Sequence, residues 1–202
     1  MLEPIRDQAA GLCAWHWRAP LRVLAVVASE RTDAALELLW WLRRGYADWG
    51  LDSRVIEGAP ERWGEDAELA DVWLWHAPAA AVAAWWPAAG GHPLVALRAE
   101  PAALVDGYRS LKHLRRAGFA PIAVALSAPA SHVEGPDPAL AAACAALART
   151  CQRHLQWAPA IWTLGYDDAV GATPTEAVLA RLLDAAWTLD LTGDEEAAAP
   201  SC

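Results

Sequence analysis

Residues 21–32, Leu21-Arg22-Val23-Leu24-Ala25-Val26-Val27-Ala28-Ser29-Glu30-Arg31-Thr32, carry an apolar run of strand length straight into a short polar turn, after which Asp33 opens a helical pattern. A buried strand that turns at once into a helix is the opening unit of an α/β domain. Where such a unit binds nucleotide, glycines in this turn let backbone N–H groups wrap the phosphates and a lysine neutralises them. The turn Ser29-Glu30-Arg31-Thr32 has no glycine and no lysine, and the carboxylate of Glu30 repels phosphate.

Outward from this unit, apolar runs of strand length alternate with segments of helical period. The pattern predicts strands at Leu21–Ala28, Ser53–Glu57, Asp71–Trp75, Pro93–Arg98, Ile122–Ser127 and Ala160–Leu164. Helices are expected at Asp33–Arg44, Ala79–Trp86, Ala102–Ala117, Pro138–Gln156 and Pro174–Asp190. Such alternation implies βαβ units, hence a mostly parallel sheet flanked by helices. Asp33 and Thr173-Pro174 read as helix starts. Arg43-Arg44-Gly45 and Arg115-Arg116-Ala117-Gly118 read as helix ends, where cations complement the dipole and glycine supplies the left-handed cap. The expected organisation is a leader over residues 1–20, one α/β domain over 21–191 and a disordered acidic tail over 192–202, which lacks an apolar period. No internal repeat is visible.

Composition narrows the function. A net charge of −9 and a pI near 5.0 argue against a phosphate-backbone partner, so nucleic acid is not expected. The longest apolar stretch, Ala77 to Ala89, is broken by Pro78 and Pro87 and is too short to span a bilayer. Four cysteines without C-x-x-C spacing, and a start without a basic-then-apolar leader, imply reduced thiols and a cytoplasmic location. Of the thirteen tryptophans, Trp15, Trp40, Trp41, Trp73, Trp75, Trp85 and Trp86 fall in or beside apolar segments, and core packing accounts for most of them.

Three stretches carry a resemblance. Leu94 to Gly118, LVALRAEPAALVDGYRSLKHLRRAG, is similar to the strand, E-P-[ST] loop and "D-A-Y-x-x-I-K" helix of the MinD/ParA group of P-loop ATPases, through Glu100-Pro101, Asp106, Tyr108 and Lys112. Leu164-Gly165-Tyr166-Asp167-Asp168-Ala169-Val170 resembles that group's late strand and its "P-x-D-x-x-V" turn, without the proline. Asp7-Gln8-Ala9-Ala10-Gly11-Leu12 looks like the D-Q-A-x-x-L leader of the branch that regulates flagellar number, FlhG/FleN. The resemblance implies a P-loop NTPase fold. The departures fall where that family handles nucleotide: Glu30, Arg31 and Thr32 stand in the K-G-G-x-G-K-[ST] loop, Glu57-Gly58-Ala59 replaces "D-A-D", His76-Ala77-Pro78 replaces "D-T-x-x-G", and Ser127 stands for the adenine-reading asparagine. With cradle, metal ligand and base reader all replaced, no ATP binding, hydrolysis or cofactor is expected.

The resemblance further implies a non-catalytic regulator of flagellar assembly or placement. Its leader would stimulate an FlhF-like GTPase of the signal-recognition-particle type through Asp7, Gln8, Ala9 and Leu12, with Gln8 reaching the partner's active site. Cys13 stands where the family usually has arginine. Ile5, Leu12 and Trp15 at partly helical spacing suit a short amphipathic docking helix; packing on the chain's own domain is the alternative. Without ATP the nucleotide-sandwich dimer is lost, leaving a monomer or a hetero-complex. A single cation, Arg181, among six carboxylates between Thr175 and Cys202 argues against direct membrane binding. Two other functions compete: a degenerate partner in cellulose secretion or pilus placement, and a small α/β enzyme with its site near His76 at the sheet's carboxyl edge. Cys144, Cys151 and His154 share one expected helix but span too many turns to hold one zinc ion, so no metal is expected.

Overall fold

The computed structural model describes residues 20–63, 70–88, 90–127, 137–165 and 175–189. The leader residues Asp7, Gln8, Ala9 and Leu12, the Thr173-Pro174 helix start, the turn at Tyr166–Val170 and the acidic tail lie outside them.

Among the described residues the chain is an α/β domain with a mostly parallel sheet flanked by helices, as the alternation predicts. Its elements are β1 (Leu21–Val27), α1 (Ala34–Asp48), β2 (Ser53–Ile56), a 3-10 turn (Pro60–Arg62), β3 (Val72–Ala77), α2 (Ala79–Trp85), β4 (Leu94–Leu97), α3 (Pro101–Arg116), β5 (Ile122–Leu126), α4 (Pro138–Leu155), β6 (Ala160–Leu164), α5 (Thr175–Asp184) and β7 (Trp187–Leu189). The strand order is β2-β3-β1-β4-β5-β6, all parallel, with β7 antiparallel to β1.

Side-chain alternation along the strands builds two cores. Leu24, Val26, Leu74, Leu94 and Val124 face one side, under α1 (Leu38, Leu42, Tyr46) and α5 (Val178, Leu182). Val23, Ala25, Trp73, Trp75 and Val95 face the other, under α2 (Val82), α3 (Leu111, Leu114) and α4 (Leu147, Cys151). That second core holds a tryptophan cluster: Trp63 meets Trp73 and Trp75 edge-on, and Trp75 stacks on Trp86 at 5.9 Å. The indole N–H groups of Trp75 and Trp86 donate to the carbonyls of Gly58 (2.9 Å) and Gly91 (2.7 Å). Trp40 and Trp85 break the core assignment, since each is about half exposed.

Three boundaries differ from the sequence pattern by more than one residue. Arg43-Arg44-Gly45 does not end α1, which runs on to Asp48. Gly45 is instead a buried contact, where a Cβ would collide with Leu179 of α5, and the turn to positive φ falls at Gly50. The last helix stops at Asp184, and Trp187–Leu189 form β7, pairing Leu21 with Leu189 and Val23 with Trp187. Aromatic and β-branched side chains there suit a pleated ribbon, and β1 offers it a free edge, because β4 pairs only with Val26 and Val27. His76 lies inside β3, opposite Val26. The end of α3 is as expected, with Arg115 and Arg116 in its last turn and Gly118 at positive φ.

Candidate functional site at the carboxyl edge of the sheet

In open parallel sheets a ligand crevice forms outside the carboxyl ends of two neighbouring strands whose connections leave to opposite faces. Here those strands are β1 and β4. The chain leaves β1 into α1 on one face and leaves β4 into α3 on the other, toward opposite edges of the sheet. The crevice is therefore bounded by the Ser29–Thr32 turn and by the Arg98–Glu100 turn.

A side chain of α3 fills it. Asp106 is only 5% exposed, and its Oδ2 accepts the backbone N–H of Glu30 at 2.7 Å and of Arg31 at 3.1 Å. The approach depends on the next residue: at Gly107 a Cβ would run into Leu97 at the end of β4, so the missing side chain lets α3 sit against the strand. Ser29 Oγ accepts the N–H of Ala35 (3.3 Å) and so caps α1 in place of Asp33, whose side chain makes no capping bond. Thr32 Oγ1 is buried with no hydrogen-bond partner among the described residues. Arg98, at the end of β4, has its charge engaged by Glu37 of α1 (3.5 Å) and by Glu100 (3.6 Å).

The other positions singled out in the sequence sit along the same edge but do not converge. Glu57 and His76 adjoin, Oε1 to Nδ1 at 3.4 Å, across the ends of β2 and β3. They border a groove of about 550 Å³ between α1 and β2, whose walls include Leu36, Trp40, Arg43 and Arg44. The Arg44 guanidinium lies over the Trp40 ring at 5.3 Å. Ser127 follows β5, and its N–H donates to Leu164 (2.9 Å); a Cβ on Gly165 would strike it, so backbone closes the space beside it. A second groove, of about 530 Å³, lies at the opposite sheet end among His92, Pro121, Trp157, Trp162 and Arg181, away from Glu30, Glu57, His76 and Ser127.

These residues do not suit a magnesium nucleotide. The Glu30 and Arg31 amides are taken by a carboxylate, and the nearby Arg98 guanidinium is engaged by two more. On α4 Cys151 is buried in the core while His154 is exposed, and no group of three metal-ligating side chains occurs among the described residues. Burial pushes the thiols of Cys144 and Cys151 above their ordinary range. No described helix is long and apolar enough to cross a membrane.

The sequence had pointed at Glu57, His76 and Ser127 one by one and missed the two contacts that organise the edge. The His76 partner Glu57 is 19 residues away and adjoins only through strand pairing. Asp106 was detectable, because with Ala103, Leu111 and Leu114 it falls on the buried stripe of α3, where a carboxylate must find donors. No protein-family model matches the chain, and no curated protein shows significant sequence similarity to it.

Proposed function

We propose that this chain is a catalytically silent relative of the MinD/ParA ATPases that acts through protein contacts, as a regulator of flagellar assembly or placement. The observation that carries the silent half is the Asp106 carboxylate seated on the Glu30 and Arg31 amides, where an ATPase of this plan seats phosphate. A triphosphate would have to displace a buried carboxylate of its own charge sign. Calorimetry of the full chain with magnesium-ATP is expected to show no binding, and micromolar affinity would overturn the assignment.

The regulatory half rests on the Asp7-Gln8-Ala9-Ala10-Gly11-Leu12 resemblance. In this reading the leader engages an FlhF-like GTPase, and the domain supplies a rigid surface whose conformation needs no nucleotide. Exposed Leu36 and Trp40 beside the groove of α1 are consistent with a role in contact rather than chemistry. The test is the GTP turnover of such a GTPase with and without a peptide of residues 1–20. Stimulation that is lost in the Gln8→Ala peptide supports the reading, and absence of stimulation by the wild-type peptide removes it.

One observation favours an enzyme instead: Glu57 Oε1 stands 3.4 Å from His76 Nδ1 at the rim of the 550 Å³ groove, an arrangement of the kind in which an acid orients a general base. No nucleophile is assigned beside this pair. Loss of a measured turnover in both His76→Ala and Glu57→Gln would establish this second reading.

A further inference from the structure

Among the described residues Asp106 is the buried charged side chain, and backbone rather than a cation meets its charge. Two successive N–H groups directed at one anion make a nest, a concavity that carries fixed partial positive charge without any basic side chain. Three features place this nest deliberately. It lies in the crevice between β1 and β4, where the topology of the sheet puts ligands. The anion arrives from a different element, 75 residues along the chain from Arg31. Its helix packs close to β4 at Gly107, where a Cβ would meet the Leu97 side chain.

We propose that the Glu30–Arg31 amide pair is an anion-binding site whose resident ligand is the chain's own Asp106 carboxylate, and that removal of this carboxylate uncovers a site for a small oxyanion. Acetate reproduces the lost group, and inorganic phosphate is the tetrahedral alternative. The fold holds Asp106 already oriented on the nest, at 2.7 and 3.1 Å from its two amides, so a free anion does not compete with it in the native chain. The turn after β1 is thereby held in its bound form at all times. Its order does not track the supply of any diffusible ligand.

This inference goes beyond the partner assignment and does not rest on it. The readout is an unfolding midpoint, so a failed GTPase assay leaves it standing, and its own failure leaves the leader test intact. The experiment compares the full-length wild type with Asp106→Ala and Asp106→Asn in potassium acetate or potassium phosphate, at ionic strength held constant with chloride. The wild-type midpoint is expected to be indifferent to both anions. Asp106→Ala is expected to melt lower and to recover at least half of the loss, saturably, in acetate or phosphate. A response to acetate alone marks a planar site and a response to phosphate marks a tetrahedral one; each supports the proposal. Asp106→Asn is expected to melt lower without recovery, because its carboxamide still fills the space. Three results would overturn the proposal: a wild-type midpoint in Asp106→Ala, an Asp106→Ala midpoint lowered but indifferent to both anions, or equal anion responses in wild type and variant. Should Asp106→Ala not fold in chloride, refolding in acetate or phosphate is the same test. In addition, the Glu30 and Arg31 amides of Asp106→Asn are expected to exchange hydrogen about tenfold faster than in the wild type, and unchanged exchange counts against the nest.

Discussion

The imidazole Nδ1 of His76 stands 3.4 Å from Glu57 Oε1, joining the carboxyl ends of two neighbouring parallel strands through side chains 18% and 75% exposed. With one partner so open to water, the pair is weak. A double-mutant cycle with His76→Ala and Glu57→Gln is expected to give a coupling of about 0.5 kcal/mol or less in urea unfolding at neutral pH. A coupling above about 1.5 kcal/mol would mean that the pair is held rigidly, as a site rather than a surface contact would be.

Tyr46 sets an alkaline limit on the fold. It is fully buried beneath α5, its hydroxyl reaching only a long hydrogen bond to the Leu179 carbonyl (3.5 Å), and burial pushes its phenol far above the ordinary value of 10.0. Below about pH 10 the phenol is protonated in both folded and unfolded chains and adds no pH dependence. Above it the unfolded chain releases a proton that the folded chain keeps, so stability falls as pH rises, by up to about 1.4 kcal/mol per pH unit. Tyr46→Phe is expected to flatten that decline, measured as guanidinium midpoints between neutral pH and pH about 11. Equal slopes would show that Tyr46 does not govern it.

Gly91 and Gly50 separate crowding from backbone strain. A Cβ on Gly91 would meet the Ala185 carbonyl and the Trp187 amide, backbone atoms at the α5–β7 junction that cannot rotate away. At Gly50 nothing lies within 4 Å, and only the positive φ of 74° resists a side chain. Gly50→Ala is expected to cost about 1 kcal/mol, and Gly91→Ala about 2–3 kcal/mol with loosening of β7. Urea unfolding measures both. The reverse order would show that the loop gives way instead of the strand.

The two described thiols differ in access but not in the direction of their acidity. Cys151 is fully buried against the sheet, Cys144 is half-buried, and in both burial disfavours the thiolate that alkylating reagents require. Iodoacetamide at neutral pH is expected to leave Cys151 unlabelled in the folded protein and to label it on unfolding. Cys144 is expected to react severalfold more slowly than a free thiol. Peptide mass spectrometry reads both, and native-state labelling of Cys151 would contradict the packing of α4.

The α/β plan was legible because its signal is local. Each of the six parallel strands is an apolar run bounded by turn residues, and α3 and α4 announce their ends with Pro101, Gly118 and Asp137, whose carboxylate caps α4 through Ala139 and Leu140. What escaped was set by partners distant in sequence. Gly45 reads as a helix terminator until Leu179 is seen packed on it. Trp187-Thr188-Leu189 reads as a helix continuation until the half-empty edge of β1 is known. At the site, the absence of glycine and lysine from Ser29–Thr32 was plain in the sequence. The carboxylate that accepts from this turn's amides comes from the far side of the crevice, and no turn chemistry announces it.

The antiparallel seating of β7 has a mechanical consequence. Because Leu21 lies opposite Leu189, the strand that enters the sheet and the strand that leaves it have their outer ends side by side. Tension that draws residue 20 away from residue 189 would peel their three residue pairs apart in succession, like a zip. The same pull along β1 against β3 loads six pairs together in shear. Tension applied between residues 20 and 189 would therefore part β7 from β1 before it breached the sheet, leaving the Asp106-filled crevice undisturbed.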